Sequence, residues 1–229
     1  MAKRLTAKRP LPGERLLIGW CSRRLAGQAP RTPALPPGPD YELRRLQTLA
    51  AAGVRVPPVL AFDQELMVLA HCGQDAFEIM RGLPRNERTR FLTRLATELA
   101  DLHAAGHWHG GAQIKNILVQ DGQTWRIDFE ESALEALPLP LAQAYDLLLF
   151  LNILPLAGPV DEAESRELLP QLLAAYFARH PALPVRQCLI RLLPWAQGLW
   201  RIARPLRGLS RKSIHRAGIL IDSLESFLA

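Results

Sequence analysis

Cysteine is scarce in this chain and is not arranged in pairs. Only three of the 229 residues are cysteines, and Cys21, Cys72 and Cys188 lie far apart. An odd number of widely separated cysteines excludes the disulfide framework of small secreted domains, and their spacing is not that of a zinc site. We therefore expect a protein of a reducing compartment, the cytoplasm.

Long apolar runs are also missing. The longest, Leu147–Leu151, is followed by Asn152 and Pro155 and is too short to span a bilayer. The apolar run Leu16–Ile18 is too short to be the core of a signal peptide. A charged content of 22% and a hydrophobic content of 48% are ordinary for a globular protein, and the length suffices for one two-lobed domain.

Acidic residues are nearly absent from two basic segments. Residues 1–31 contain eight Lys or Arg and the single acid Glu14, while residues 201–216 contain six Lys or Arg and no acid. Such clustering predicts an anionic partner, either a membrane surface or a phosphorylated glycolipid. A nucleic-acid partner is less favoured because no recognition motif accompanies the charge. Residues 198–217, with Trp200, favour either a peripheral segment at the inner face of the membrane or a closing helix with a solvated charged face.

The most informative stretch runs from residue 102 to residue 131. A helix with apolar residues at three- and four-residue spacing is predicted to end at Gly106, followed by a polar loop. Ile117–Val119 and Trp125–Ile127 then predict a hairpin around the turn signal Asp121-Gly122. The hairpin would bring Asp128 back beside Asn116, which gives an oxygen-rich corner suited to Mg²⁺.

These residues resemble the catalytic and metal-binding loops of the protein-kinase-like superfamily. His109, six intervening residues, Asn116-Ile-Leu-Val and then Ile127-Asp128-Phe129 are closest to small bacterial branches such as lipopolysaccharide sugar kinases and atypical Ser/Thr kinases. The resemblance implies an α+β, two-lobed fold with a reduced small β lobe and a mostly helical large lobe. It also implies ATP and Mg²⁺ as cofactors, Asn116 and Asp128 as metal ligands, and His109 as the histidine that braces the loop.

One departure from the family pattern is serious. The catalytic aspartate belongs two residues after the histidine, where this chain has Gly111, and the usual lysine two residues further on is Gln113. Glu130 and Glu131 are candidates for a displaced base; the alternative is that they are exposed acids after a strand. The resemblance therefore leaves two functions open: slow transfer of the ATP γ-phosphate to a sugar or protein hydroxyl, or a pseudokinase scaffold that binds nucleotide or a partner without turnover.

Upstream, the resemblance places the small lobe at residues 1–70, the hinge at 71–73 and the large lobe at 74–229. A strand pair is predicted over Arg4–Arg9 and Arg15–Cys21, and the phosphate-holding lysine is left open between Lys8, Arg23 and Arg24. Glu42, on a helix predicted over residues 41–52, would pair with that cation or complement the helix N-terminus. Backbone groups of Ala70 and Cys72 would contact the adenine.

Downstream, Asp146 lies inside a nearly all-apolar helix and must therefore be paired. The resemblance gives it a structural role, accepting backbone N–H groups of the catalytic loop. Residues 132–140, where an activation segment would lie, are few and contain proline, which favours a small-molecule or lipid-linked acceptor over a regulated protein kinase. Asn86 and Asp161 are predicted helix caps, and the helix that starts near Val185 is expected to be interrupted at Pro194.

Overall fold

The computed structural model describes residues 2–4, 13–33, 35, 38, 40–63, 66–205 and 210–229, with the backbone alone at 2–4. Within these ranges the helices are α1 Glu14–Cys21, α2 Tyr41–Ala51, α3 Ala76–Gly82, α4 Arg85–Ala104, α5 Leu139–Asn152, α6 Glu162–Arg179, α7 Leu183–Ala203 and α8 Arg211–Leu228. The strands are β1 Ala2–Arg4, β2 Val59–Phe62, β3 Leu66–Leu69, β4 Gln74–Asp75, β5 Ile117–Gln120 and β6 Gln123–Arg126. They form two antiparallel sheets, with strand orders β1-β3-β2 and β4-β5-β6.

The first sheet and α2 share a small apolar core, and we call them together the small lobe. The α2 residues Leu46 and Leu49 face Met67 and Leu69 of β3, so one stripe of the helix covers one face of the hairpin. Helix α2 ends before Gly53, whose φ of +79° stops it in the left-handed conformation. Strands β2 and β3 form an antiparallel hairpin.

The helices from α4 onward form the large lobe around a second, larger core. Helix α4 packs on α6, α6 on α8, and α7 on both α5 and α8. A buried ion pair joins α4 to α6, with Arg88 Nε and Nη2 donating to the two carboxylate oxygens of Glu164 at 2.8 and 2.9 Å. Asp161 caps α6 as predicted, accepting the N–H of Glu164 at 2.8 Å.

Several local predictions are wrong. Arg15–Cys21 is not a strand but lies in α1, which continues as a π-helical turn over Ser22–Ala26. That turn packs on α7 and α5. Its helical conformation points the Leu25 side chain into the large-lobe core, where an edge strand would not place it. Residues 5–9 of the predicted partner strand lie outside the described residues.

Three further boundaries differ from prediction. Helix α4 begins at Arg85, so Asn86 lies inside its first turn and Pro84 precedes it. Helix α7 runs through Pro194 without interruption. The basic segment 198–217 is not one helix, because α7 ends at Ala203 and α8 begins at Arg211. In the part of the chain that the structure describes, no helix combines the length and the apolar character needed to cross a membrane.

Candidate functional site: a catalytic-loop and metal-loop corner

The β5–β6 hairpin brings Asn116 and Asp128 together. Ile117 is opposite Arg126 in the register, and the N–H of Ile127 donates to the carbonyl oxygen of Asn116 at 3.0 Å, which extends the ladder by one pair. Asn116 belongs to this added pair and Asp128 directly follows Ile127, so the two side chains lie at the same end of the hairpin. Asn116 Nδ2 lies 3.5 Å from Asp128 Oδ2.

The Asn116 amide is held in one orientation. Its Nδ2 donates to the carbonyl oxygen of Gly111 at 2.8 Å, so the nitrogen is directed at the loop and the Oδ1 is left for another contact. Asp128 has a φ of +71°, an uncommon conformation for a residue with a side chain and one that clusters at functional sites. One amide oxygen and one carboxylate are hard ligands, so this donor set fits Mg²⁺ completed by phosphate oxygens and water.

A buried carboxylate fixes the loop that carries Gly111. Asp146, on α5, accepts the backbone N–H of His109 and, at 2.7 Å, that of Gly110. Its Oδ2 also lies 3.3 Å from Nε2 of His103, whose Nδ1 is 2.6 Å from the hydroxyl of Tyr176. The loop backbone is thereby hydrogen-bonded to a helix of the large lobe, although Asp146 is wholly buried.

These contacts set the charge states of the buried groups. Burial alone would raise the pKa of Asp146, but the hydrogen bond from His103, the nearby imidazoles and the N–H of His109 bring it below its usual value. Burial lowers the pKa of His103 against the opposing effect of Asp146. Burial likewise lowers the pKa of His109 to about 3. The loop is therefore held by an ionised carboxylate between neutral imidazoles.

Phe129 links the metal loop to the small lobe. Its ring stacks on the imidazole of His109 with centroids 4.2 Å apart, and it packs in the apolar core beneath α2. Its N–H donates to Glu42 Oε1 at 3.2 Å, so the acid that the sequence assigned to nucleotide binding is buried and touches the metal-loop backbone. Lys8, one candidate partner of Glu42, lies outside the described residues. Arg23 and Arg24 lie on the π-helical turn that packs on α7.

A second link between α2 and the loop was missed by sequence reasoning. Arg45 Nη2 donates to the carbonyl oxygen of Trp108 at 2.6 Å, and its guanidinium carbon lies 4.3 Å from the centre of the Trp108 ring. Arg45 also lies 3.9 Å from Glu135, which accepts a hydrogen bond from the Tyr41 hydroxyl at 3.0 Å. The only local signal is that Arg45 falls on the same face of α2 as Tyr41 and Leu49.

The position of the expected base has little free space. A Cβ atom at Gly111 would lie 3.3 Å from both Asn116 Nδ2 and the carbonyl oxygen of Asp128. Gln113 is half-buried, and its N–H donates to Gly111 O at 2.7 Å, so its backbone helps to shape the turn before Asn116. Glu130 and Glu131 are half-buried and lead into a 3₁₀ turn over Ser132–Ala136, immediately after the metal loop.

At the predicted hinge, backbone contacts dominate. The N–H of Ala70 donates to Pro58 O at 2.9 Å, and the buried Cys72 directs its thiol at Ala70 O, 3.7 Å away. Gly73 has a φ of +98°, and a Cβ atom there would lie 2.1 Å from the carbonyl oxygen of Val119. Only glycine fits between the hinge and β5. The described residues contain no group of three or more His, Cys, Asp and Glu able to bind a metal by themselves.

Comparison with known families fits this geometry. Residues 39–138 match the RIO domain family. The RIO domain match begins just before α2 and ends just before α5, so it contains Asn116 and Asp128 but not Asp146. With the observed architecture, it identifies the fold as the two-lobed, protein-kinase-like fold that the resemblance implied.

One curated relative supports the same assignment. The chain is 29% identical over 102 residues to KEOPS complex subunit Bud32 of Pyrococcus abyssi, an alignment covering 39% of this chain and 46% of that protein. The chain thus spans about half the length of that relative. Both comparisons support the kinase-like superfamily, but not the lipopolysaccharide-kinase branch that the sequence suggested.

Proposed function

We propose that this protein binds Mg-ATP and transfers the γ-phosphate to an acceptor hydroxyl. The observation that carries the proposal is the convergence of Asn116 and Asp128, 3.5 Å apart, at the end of a hairpin whose backbone is fixed to a buried carboxylate. Asn116 and Asp128 would hold Mg²⁺, while Glu42 and the backbone of Ala70 and Cys72 would position the nucleotide. Bound Mg²⁺ would neutralise charge on the β- and γ-phosphate oxygens.

In the transfer, the acceptor oxygen bonds to the γ-phosphorus as the bond from that phosphorus to the β–γ bridging oxygen breaks, which releases ADP. The acceptor proton must go to a base, and Gly111 supplies none. We assign this step to Glu130 or Glu131, the carboxylates that follow Asp128 most closely. Base assistance contributes about 10²–10⁴-fold in general, so its weakening lowers the rate while leaving nucleotide binding intact.

The segment after the metal loop favours a small acceptor, such as a sugar. Residues 132–136 form a 3₁₀ turn, and α5 begins at Leu139. This turn is held on both sides, because Ala136 O accepts the N–H of Arg31 at 2.8 Å and Glu135 accepts the Tyr41 hydroxyl. So short and restrained a segment offers little surface for an extended peptide substrate.

The test is thermal denaturation with and without Mg-ATP, followed by ATP turnover. A ligand at one hundred times its Kd stabilises the folded state by about 2.7 kcal/mol, so the midpoint of the wild type should rise. Asp128→Asn should abolish both the rise and the turnover. Asp121→Asn is the matched control, since it makes the same change in the exposed turn of the same hairpin. A thermal unfolding midpoint of the wild type that does not change when Mg-ATP is added would refute the proposal.

A pseudokinase scaffold is the second candidate, and Gly111 is the observation that favours it. The Bud32 relative is named as a subunit of a complex, so a scaffold here would engage a protein partner. This candidate predicts a midpoint rise with Mg-ATP but no turnover. The Gly111→Asp variant distinguishes the two candidates. A Cβ atom there requires its neighbours to shift by a few tenths of an ångström. In a slow kinase, the added carboxylate should raise the turnover rate about 10²–10⁴-fold above that of Gly111→Ala.

A further inference from the structure

The C-terminal half of α7 exposes an apolar face. Leu199 and Ile202 are each 68% exposed, and Trp195 is 47% exposed. In the N-terminal half of the same helix, Cys188 points in nearly the same direction and is buried in the large-lobe core. Toward the C-terminal end of α7, this face of the helix is therefore no longer covered by other side chains.

Helix α1 continues this exposed surface. Trp20 meets Trp195 edge to face with ring centroids 5.1 Å apart. Leu16 and Leu17, on the preceding turn of α1, are both exposed. We call this surface the apolar ridge; its members are Leu16, Leu17, Trp20, Trp195, Leu199 and Ile202.

A deep apolar cleft opens beside the ridge. It lies between α5, α7 and α8 and has a volume of about 740 Å³. Leu149, Leu193 and Ala217 are among its lining residues, and Leu199 belongs to both the cleft and the ridge. Trp200 forms part of one wall and is fixed there, since its Nε1 donates to Ile214 O at 3.0 Å.

Positive charge borders the cleft and the ridge. Arg201 lies in the last turn of α7 and Arg204 directly follows that helix, while Arg211 and Lys212 begin α8; all four are exposed. Residues 201–216 contain no acid. Glu162, at the start of α6, is already paired with Arg166 and His215, each at 3.0 Å. The charge on this border is therefore not neutralised by neighbouring carboxylates of the described chain.

We propose that this face docks on an anionic phospholipid bilayer and that the cleft takes one acyl chain of an anionic phospholipid. Exposed Trp and Leu beside clustered Arg and Lys match the boundary between acyl chains and negatively charged headgroups. The lining of the cleft is almost free of polar groups, and its residues Ala203 and Ser210 lie next to the basic residues in the chain, which suits an acyl chain whose headgroup carries a phosphate. This inference goes beyond the phosphotransfer proposal and does not depend on it.

The experiment is co-sedimentation of the full chain with vesicles of phosphatidylcholine alone or of equimolar phosphatidylcholine and phosphatidylglycerol. We expect binding to the second and at least about tenfold weaker binding to the first. The double variant Leu199→Ser with Ile202→Ser should bind at least about tenfold more weakly than the wild type. Leu60→Ser is the matched control because Leu60, at 67% exposed, lies on the small lobe. Arg201→Gln with Arg204→Gln should lose more binding than Arg85→Gln with Arg90→Gln, which removes the same charge from α4.

Acyl-chain entry is tested with phosphatidylglycerol brominated near the methyl end of its chains. Bromine should quench tryptophan fluorescence, and Trp200→Phe should remove a large part of that quenching. Equal binding to both vesicle types, or a Leu199/Ile202 variant that binds like Leu60→Ser, would overturn the docking proposal. Binding without any quenching would overturn the acyl-chain site. A wild-type dimer that the Leu199/Ile202 variant converts to a monomer would instead make this face an interface between copies and refute the membrane assignment.

Discussion

The loop around His109 and the end of the large lobe at α7 and α8 distribute polarity in opposite ways. Around His109 the ionisable groups are inside: Asp146, His103 and His109 are all at most 1% exposed. At the end of α7 the large apolar side chains are outside, with Leu199 and Ile202 two-thirds exposed. Buried ionisable groups and exposed apolar clusters are each unfavourable for a chain considered alone, so each indicates a requirement other than stability. Internal hydrogen bonds satisfy the first, whereas the proposed contact with a bilayer would satisfy the second.

The largest expected effect on stability comes from removing the Asp146 carboxylate, which holds the loop backbone. Asp146→Ala leaves the N–H groups of His109 and Gly110 buried without an acceptor, and it should destabilise the protein by about 3–5 kcal/mol in urea denaturation. Asp101→Ala removes an exposed carboxylate paired with Arg179, and should change stability by no more than about 1 kcal/mol. Equal losses in the two variants would show that the loop does not depend on Asp146.

The next effect concerns the tether from α2 to the loop. Arg45→Gln removes a buried charged donor to Trp108 O and should lower the free energy of unfolding by about 1.5–3 kcal/mol. Arg44→Gln, on the same helix, breaks a partly exposed i,i+4 pair with Asp40, and such a pair contributes about 0.3–0.5 kcal/mol. If both variants unfold at the same urea concentration, the contact between Arg45 and Trp108 does not contribute to the free energy of unfolding.

The buried groups around His109 should also make the stability of the protein depend on pH, which the exposed apolar face should not. The pKa of His109 is lowered to about 3 by burial, so below pH ~6.5 the unfolded chain takes up a proton that the folded chain does not. Stability should therefore fall as the pH falls, by up to about 1.4 kcal/mol per unit, and His109→Gln should flatten the profile measured by urea denaturation. A profile that is unchanged by His109→Gln contradicts this assignment. Asp146, whose pKa is also lowered, adds a loss only at still lower pH, below about 3.9.

The smallest effect is expected at the exposed face. Leu199→Ser and Ile202→Ser should each alter stability by no more than about 0.5 kcal/mol, because neither side chain is withdrawn from water in the free protein. Leu189→Ala, on the buried part of the same helix, should destabilise by about 2–5 kcal/mol. Calorimetric midpoints of the three variants check the contrast, and a large loss at Leu199 would mean that the face is covered.

Sequence reasoning succeeded where the signal was local. The β5–β6 hairpin and the apolar helix α5 follow from turn residues and an unbroken apolar run. The close approach of Asn116 to Asp128 followed from the hairpin alone.

Where the deciding contact is distant in the sequence, the same reasoning failed. Residues 15–21 are predicted as a strand, but they form a helix, and the turn that follows them packs on α7. Buried polar pairs carry no local pattern either: Arg45 meets Trp108 across 63 positions and Arg88 meets Glu164 across 76. The hydrophobic pattern marks which face of a helix turns inward, but not which charged residue on that face finds a partner there.

Phe129 belongs to the metal loop by chain connectivity and to the small lobe by packing. A motion that swung α2 away would either carry the neighbouring Asp128 with the ring or expose an aromatic side chain of about 150–250 Å² to water. Separation of α2 from the loop would therefore draw Asp128 away from Asn116. If the protein binds Mg-ATP as proposed, release of the nucleotide would accordingly coincide with separation of Asp128 from Asn116.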